Sequence, residues 1–394
     1  VNPGSAESPG LNRAALGPAL AAVLVMGLLA AALAWLHGGH LSALMMLEKE
    51  GRCYQALGAP PGVAVFPGAG YDGHLFYYIA RDLKMEHGCA GAYRYQRILY
   101  SALIWLFSLG RESLMPLMMS LINVLAIGAG TWLAARWLAE LGISPWLGLF
   151  YGLSLGHVVI VQYALCGALA LSLALAGAYF FLQRPRPVLA GLFFALALLT
   201  RETTVLLAAP LGLWALWRRD WRRLTWLAAA LLPYLIWELI LWRRFGELPL
   251  TSTNAEAVTL NFEGLRALFG DLDFASGWRQ ALRQASSLPY LAFVLLCLGL
   301  GLRGLCRAEG GGRLLAWLVV CNAGPILLLG RGMWTYVSSI GRVSVTLVPA
   351  ALLLAARSGG ATRLWLLGGL GFLFIMGLAR VFLAGTHPFF IQPG

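Results

Sequence analysis

The sequence predicts an all-α, polytopic membrane protein, and three observations predict it. Apolar residues make up 59% of the 394-residue chain. Charged residues make up only 12%, where a soluble domain carries roughly 25%. The apolar residues are also gathered into runs near the length, about 20 residues, that a helix needs to cross about 30 Å of hydrocarbon. A soluble fold of this size has too little interior to bury them. A soluble enzyme, a disordered chain and a disulfide scaffold are therefore excluded.

Residues 1–14 form a short tail ahead of the first run, 15–36. Ala32-Leu33-Ala34 resembles a signal-peptide cleavage site. The preceding stretch carries only Arg13, however, and the run is too long for a signal peptide, so a retained first helix is expected. Residues 37–112 hold no 20-residue apolar run and form a first long loop. Helices two to seven are expected within 113–242, at 113–138, 144–160, 163–183, 186–200, 203–217 and 224–242. A second hydrophilic loop follows at 243–286, with a surface helix pair expected over 259–285. The last four spans are expected within 287–394, at 287–303, 313–330, 341–356 and 364–384. The total is about eleven.

The basic residues orient these spans. Of 29, only Lys49 and Lys84 are lysines, and the net charge is +12. With the N-terminus in the cytoplasm, the short inner loops hold Arg136, Arg184, Arg186, Arg218, Arg219, Arg222, Arg223, Arg303, Arg307, Arg313, Arg357 and Arg363, against only Glu140, Asp220 and Glu309. The long loops mix both signs. This is the positive-inside bias, and it puts both long loops and the C-terminus on the outer face. It explains the basic excess without nucleic acid, for which no hydrophilic basic domain exists. Cys166, Cys297 and Cys321 fall in apolar runs and are expected to be packing residues. Cys53 and Cys89 share the first loop and either pair, if it faces an oxidising compartment, or remain thiols. No Cys/His spacing suggests a metal site.

Chemistry concentrates in the first loop. Phe66-Pro67-Gly68-Ala69-Gly70 reads as a turn, and Asp72 then opens an aromatic helix, Tyr71-Asp72-Gly73-His74-Leu75-Phe76-Tyr77-Tyr78, suited to lie in the membrane interface. Asp72 is either a helix cap worth about 1 kcal/mol or a general base presented to a lipid-borne substrate. Tyr93-Arg94-Tyr95-Gln96-Arg97-Ile98-Leu99-Tyr100 places Arg94 and Arg97 three apart on one helical face. They are either snorkelling cations or a phosphate clamp, since guanidinium forks onto phosphate oxygens.

Those two segments, followed by a long span ending in Ala134-Ala135-Arg136-Trp137-Leu138-Ala139, resemble the GT-C superfamily of membrane glycosyltransferases. The likeness is closest to a bacterial family of cell-surface glycopolymer formation proteins with a Y-D-G-Q-F-Y-Y string, and more distant to the PIG-V mannosyltransferases. It extends weakly to Leu199-Thr200-Arg201-Glu202-Thr203-Thr204 and to Gly341-Arg342-Val343 with Pro349. The chain departs from the pattern at His74-Leu75-Phe76, where the family has Gln-Phe-Tyr, and it lacks the first late proline.

The resemblance implies a GT-C-like bundle with interfacial helices in the first outer loop. It implies an enzyme that takes sugar from a polyprenyl-phosphate donor at the outer face of the bacterial cytoplasmic membrane. The acceptor is a glycan or lipid of the cell envelope, and transfer is inverting, with Asp72 as general base. Arg94, Arg97, Arg201 and Arg342 are the candidates for donor phosphate. Tyr71, His74, Tyr78, Tyr95, Glu202, Trp334 and Tyr336 are the candidates for substrate contact, with sugar stacked on Trp334. Arg201 and Glu202 form either a structural salt bridge or part of a wet cavity. Glu238 is either an intramembrane site or a paired carboxylate near a span end. His37, His40 and His157, at span ends, are expected to be polar interface residues, and Asp271-Leu272-Asp273 a solvated turn. No cofactor is specified, although Mg or Mn is compatible with the chemistry. The competing readings are a non-catalytic GT-C-like subunit of a larger complex and a lipid-linked glycan transporter, the latter expected to show paired broken helices.

Overall fold

The computed structural model describes residues 9–68, 70–249, 261–270, 285–308 and 310–383. Helices dominate. Among the described residues, the strands are β1 (Leu47–Glu48) and β2 (Val65–Phe66), which pair in parallel within the first loop.

A long first helix, α1 (Pro9–Leu36), packs along α6 (Met115–Glu140). Between them lie α2 (Arg52–Leu57), α3 (Asp72–Arg81), α4 (Gly91–Tyr95) and α5 (Ile98–Phe107). After α6 come α7 (Leu149–Gly152), α8 (Leu155–Gln162), α9 (Gly167–Leu182), α10 (Pro187–Thr200) and α11 (Val205–Trp217). Next are α12 (Trp221–Ala229), α13 (Leu231–Phe245) and α14 (Glu263–Gly270). The last group is α15 (Leu288–Arg307), α16 (Gly310–Leu327), α17 (Arg331–Trp334), α18 (Val337–Ser344), α19 (Leu347–Arg357) and α20 (Gly360–Leu383).

Among the described residues, six segments are long and apolar enough to cross a membrane: Gly10–Leu36, Glu112–Glu140, Trp221–Phe245, Leu288–Arg307, Gly310–Leu327 and Gly360–Arg380. Two bent pairs bring the number to eight, Pro145–Gly152 with Leu155–Gln162 at 47° and Val337–Ser344 with Leu347–Arg357 at 54°. The protein is a multi-pass membrane protein with six to eight candidate spans. The expected spans at 163–183, 186–200 and 203–217 are helical, but α9, α10 and α11 have only 16, 14 and 13 residues. At 1.5 Å per residue they are about 20–24 Å long, short of a hydrocarbon core. The expected spans 186–200 and 203–217 are themselves only 15 residues long, and 163–183 is shortened because residues 163–166 form the α8–α9 break. Of the expected 259–285 helix pair, the structure describes α14 alone, and Asp271 and Asp273 lie outside the described residues.

Close approach in the bundle depends on small residues, as expected where lipid supplies no hydrophobic drive between helices. Gly130 lies under Tyr151 and Ser172, whose hydroxyls are 2.8 Å apart, and Ser172 Oγ donates to the Ala126 carbonyl at 2.6 Å. His157 is wholly buried here. Its Nδ1 lies 2.7 Å from the Tyr151 carbonyl and 3.2 Å from Ser154 Oγ, so it ties the α7–α8 break together and is no interface residue.

Candidate active site

The first loop is a packed scaffold. Cys53 and Cys89 form a disulfide. Arg81 donates to the Gly58 and Leu57 carbonyls at 2.8 and 3.1 Å and pairs with Glu112 at 2.8 Å. At the end of α3, Asp82 accepts from the amides of Glu86, His87 and Gly88 and from the Tyr95 hydroxyl. These bonds remove α3 from the interfacial setting expected for it. Phe76, Tyr77, Tyr78, Ile79 and Ala80 are all buried, because α5, α6 and the rest of the loop pack around the helix.

Asp72 is the first residue of α3, and the cap position is Tyr71. The carboxylate therefore caps nothing and is free to face outward from the helix start. Its Oδ1 lies 2.8 Å from Arg94 Nη2, and its Oδ2 lies 3.3 Å from Arg342 Nη1. Burial raises its pKa, but Arg94, Arg342 and Arg97 outweigh that and hold it below the usual carboxylate value. Protein surrounds the group closely, yet 23% of its side chain stays accessible.

Gly73 permits this placement. A Cβ there would collide with the Tyr163 carbonyl, so only glycine lets the first turn of α3 lie on that strand of chain. Tyr163 belongs to the α8–α9 break, where Ala164 takes φ +49°. Its ring stacks on Tyr71 with centroids 4.2 Å apart. Arg342 covers the Tyr71 ring at 5.6 Å. Arg342 lies in the last turn of α18, ahead of the 54° bend, and so closes a helix where the sequence suggested that it begins one. It reaches Asp72 because α8 and α18 cross at glycines: a Cβ on Gly156 would lie 2.6 Å from the Gly341 carbonyl.

Arg97 sits beside this pair but is committed elsewhere. Its Nε and Nη2 fork onto Glu202 at 2.9 and 2.6 Å, and Nη2 also donates to the Tyr93 hydroxyl at 2.8 Å. Arg94 and Arg97 both lie over the Tyr93 ring, at 5.0 and 4.9 Å. They do not share one helical face as the spacing suggested. Arg97 is the cap residue between α4 and α5, with φ −92° and ψ 46°, and that break turns it toward Glu202.

Arg201 and Glu202 do not bridge each other. Arg201 lies deep in the protein, keeps some accessible surface, and makes no ion pair among the described residues. Its Nε has no hydrogen-bond partner. Gly167 makes room for it, since a Cβ there would lie 3.3 Å from Nη1. A desolvated cation without a counter-charge is costly. The arrangement is thus two carboxylates facing four guanidiniums, with one guanidinium unspent.

Other expected contacts fall away from this cluster. Tyr78 is fully buried and donates to the Gly58 carbonyl at 3.2 Å. Tyr95 is fully buried against Phe245 and bonded to Asp82. Trp334 has no face open for a sugar: it is 0% exposed, with α14 packed over it at Gly264. Tyr336 is exposed at the start of α18. His74 is buried, and burial holds its pKa below the usual imidazole value, so it is neutral at pH 7. Glu238 is buried beside Tyr234 with Oε1 unpartnered. Sequence reasoning passed over Tyr163, hidden in an apolar run, and Arg380, which donates to Gln162 Oε1 at 3.2 Å from α20.

A divalent cation does not fit these donors. Both Asp72 oxygens are taken by guanidinium and both Glu202 oxygens by Arg97, and no group of three metal-ligating side chains occurs among the described residues. Compared with known proteins, the chain matches no family profile, no curated protein and no solved structure.

Proposed function

We propose that the protein is a membrane glycosyltransferase that uses a polyprenyl-phosphate-linked sugar at the outer face of the bacterial cytoplasmic membrane, with a glycan or lipid acceptor. One observation carries the reading: an accessible carboxylate, Asp72, held by two guanidiniums from distant segments, beside a third, Arg201, with no partner. The Cys53–Cys89 bond supports an oxidising, outer location for this end of the bundle. The eleven-span topology with an inner N-terminus belongs to the same proposal, with short α10 and α11 setting the Arg201–Glu202 corner below the surface.

The chemistry assigns each charge a task. The donor phosphate draws Arg94 and Arg342 from Asp72 and engages Arg201. Losing its counter-ions raises the basicity of the Asp72 carboxylate, which then accepts the proton of the acceptor hydroxyl. The acceptor oxygen bonds to the anomeric carbon with inversion as the carbon–phosphate-oxygen bond breaks. Polyprenyl phosphate leaves as an anion, stabilised by the same three guanidiniums. Arg97 and Glu202 keep the wall in place.

The test is transfer by the purified protein in liposomes holding a polyprenyl-phosphate sugar, with mass spectrometry of released polyprenyl phosphate. Release by the wild type and loss in Asp72→Asn is expected. Donor that crosses the bilayer uncleaved would instead favour the transporter, which the two bent spans at 47° and 54° also suit.

A further inference from the structure

A polar cavity lies at the end of the bundle opposite Asp72. It encloses about 410 Å³, within the range of about 300–1,000 Å³ typical of small-molecule sites. The C-terminal ends of α6, α9, α11 and α19 and the N-terminal ends of α12 and α16 form it. Those helices begin or end on the other side near Asp72, so the length of α9, about 24 Å, separates the two sites. The loop-charge bias assigns this end to the cytoplasm.

Its polar lining is almost entirely donors. Arg218, Arg223 and Arg357 face one acid, Asp220. Asp220 is already occupied, pairing with Arg223 at 3.2 Å and accepting the Arg223 amide at 3.1 Å as the α12 cap. Arg218 and Arg357 make no ion pair among the described residues. Trp137 also lines the cavity; it is 2% exposed and its indole N–H has no acceptor. A buried donor-only group left unpaired costs free energy that an acceptor would recover.

Arg357 supplies the second clue. At the end of α19 its natural partners are the last carbonyls of that helix. Arg363 takes them instead, donating to Ala355, Ala356 and Ser358. Arg357 turns to the start of α16, lying so close over Gly311 that a Cβ would sit 2.5 Å from Nη1. A cation beside a helix N-terminus is a like-charge contact. An anion between the two removes the repulsion.

We propose that this cavity binds a phosphate group, presented either by an anionic lipid headgroup of the adjacent leaflet or by a soluble phosphate compound. Trp137, Trp214 and Phe181 would flank the apolar part of the ester. The test uses the full chain in detergent, titrated separately with phosphatidylglycerol, phosphatidylcholine and pyrophosphate, with binding read by native mass spectrometry and thermal shift. Arg218→Gln/Arg357→Gln should bind the phosphate ligand about tenfold or more weakly, a change of 1.4 kcal/mol per decade. Arg219→Gln/Arg222→Gln removes equal charge from residues outside the lining, exposed like Arg218 and Arg357, and should leave binding unchanged. Gly311→Ala keeps every charge, displaces Arg357, and should also weaken binding. Selective binding of phosphatidylglycerol identifies the lipid source; binding of pyrophosphate without it identifies the soluble one. No binding of either by the wild type, or equal losses in the two double variants, overturns the proposal.

Discussion

Two ion pairs lie side by side in the candidate site and are built differently. Arg97–Glu202 is a bidentate fork at 2.6 and 2.9 Å, with side chains 8% and 14% exposed and a third bond to Tyr93. Asp72 instead divides its oxygens between Arg94 and Arg342, at 2.8 and 3.3 Å, and keeps 23% of its side chain accessible. The first pair leaves no oxygen for anything else and joins the first loop to the α10–α11 corner. The second is held by single contacts to two side chains, and a stronger anion can compete for both. The same two chemical groups, carboxylate and guanidinium, thus yield a strut and an exchangeable pair, and the difference is one of valence and access.

The largest expected effect tests the exchangeable pair. Asp72→Asn should cut transfer by about 10²–10⁴-fold, the range for loss of a general base. Its thermal midpoint should stay near that of the wild type, because the amide keeps the shape and the freed guanidiniums of Arg94 and Arg342 are partly accessible. Rates are measured as polyprenyl phosphate release, and a variant as active as the wild type would exclude Asp72 as the base.

The strut predicts the opposite balance. Glu202→Gln removes the partner of a buried guanidinium, which typically costs about 3–5 kcal/mol. The loss should appear as a lower unfolding midpoint in detergent and poor recovery of folded protein. Should Glu202→Gln fold as well as the wild type, the division between strut and exchangeable pair fails.

Arg201 gives a smaller effect with the reverse sign. It is deep, makes no ion pair among the described residues, and sits near Arg97 and Arg342, with Glu202 nearby but bonded to Arg97. Arg201→Gln should therefore raise stability, by about 1 kcal/mol, as removing groups kept for function at the expense of stability commonly does. The same variant should weaken donor binding. Lower stability in Arg201→Gln would show that the guanidinium is already satisfied in the resting protein.

The sequence made the cast of this site visible but not its pairings. Asp72, Arg94, Arg97, Arg201 and Arg342 stand out because charges are scarce in an apolar chain. Arg342 lies 270 residues from Asp72, and no spacing rule spans that distance. The contact depends on two broken helices crossing at Gly156 and Gly341. The pairing of Arg97 with Glu202 is invisible in sequence because regular helical spacing does not continue through the break at its own backbone. Tyr78, Tyr95 and Trp334 drew attention as aromatics near a membrane surface, and aromatic residues look alike in sequence whether they line a cleft or fill a core. Hydropathy located the long apolar helices, left the apolar α5 inside the first loop, and ran one span through the α8–α9 break, since it measures composition and not backbone geometry.

The smallest effect is in pH. The Asp72 pKa lies below the usual carboxylate value, because the cations outweigh the burial. A depressed carboxylate stabilises the fold above its unfolded pKa of about 3.9, and that contribution is lost as pH falls through the folded value. Between pH 7 and 5 the wild type and Asp72→Asn should therefore differ by a constant amount. Below about pH 4 the gap should close as the carboxyl protonates and releases Arg94 and Arg342. The size should stay within about 1 kcal/mol, the scale of partly exposed pairs. Unfolding midpoints of both proteins from pH 7 to 3 measure it. A gap that instead begins to close near pH 6 would mean that burial outweighs the guanidiniums, and Asp72 would then be a stronger base at rest than this geometry makes it.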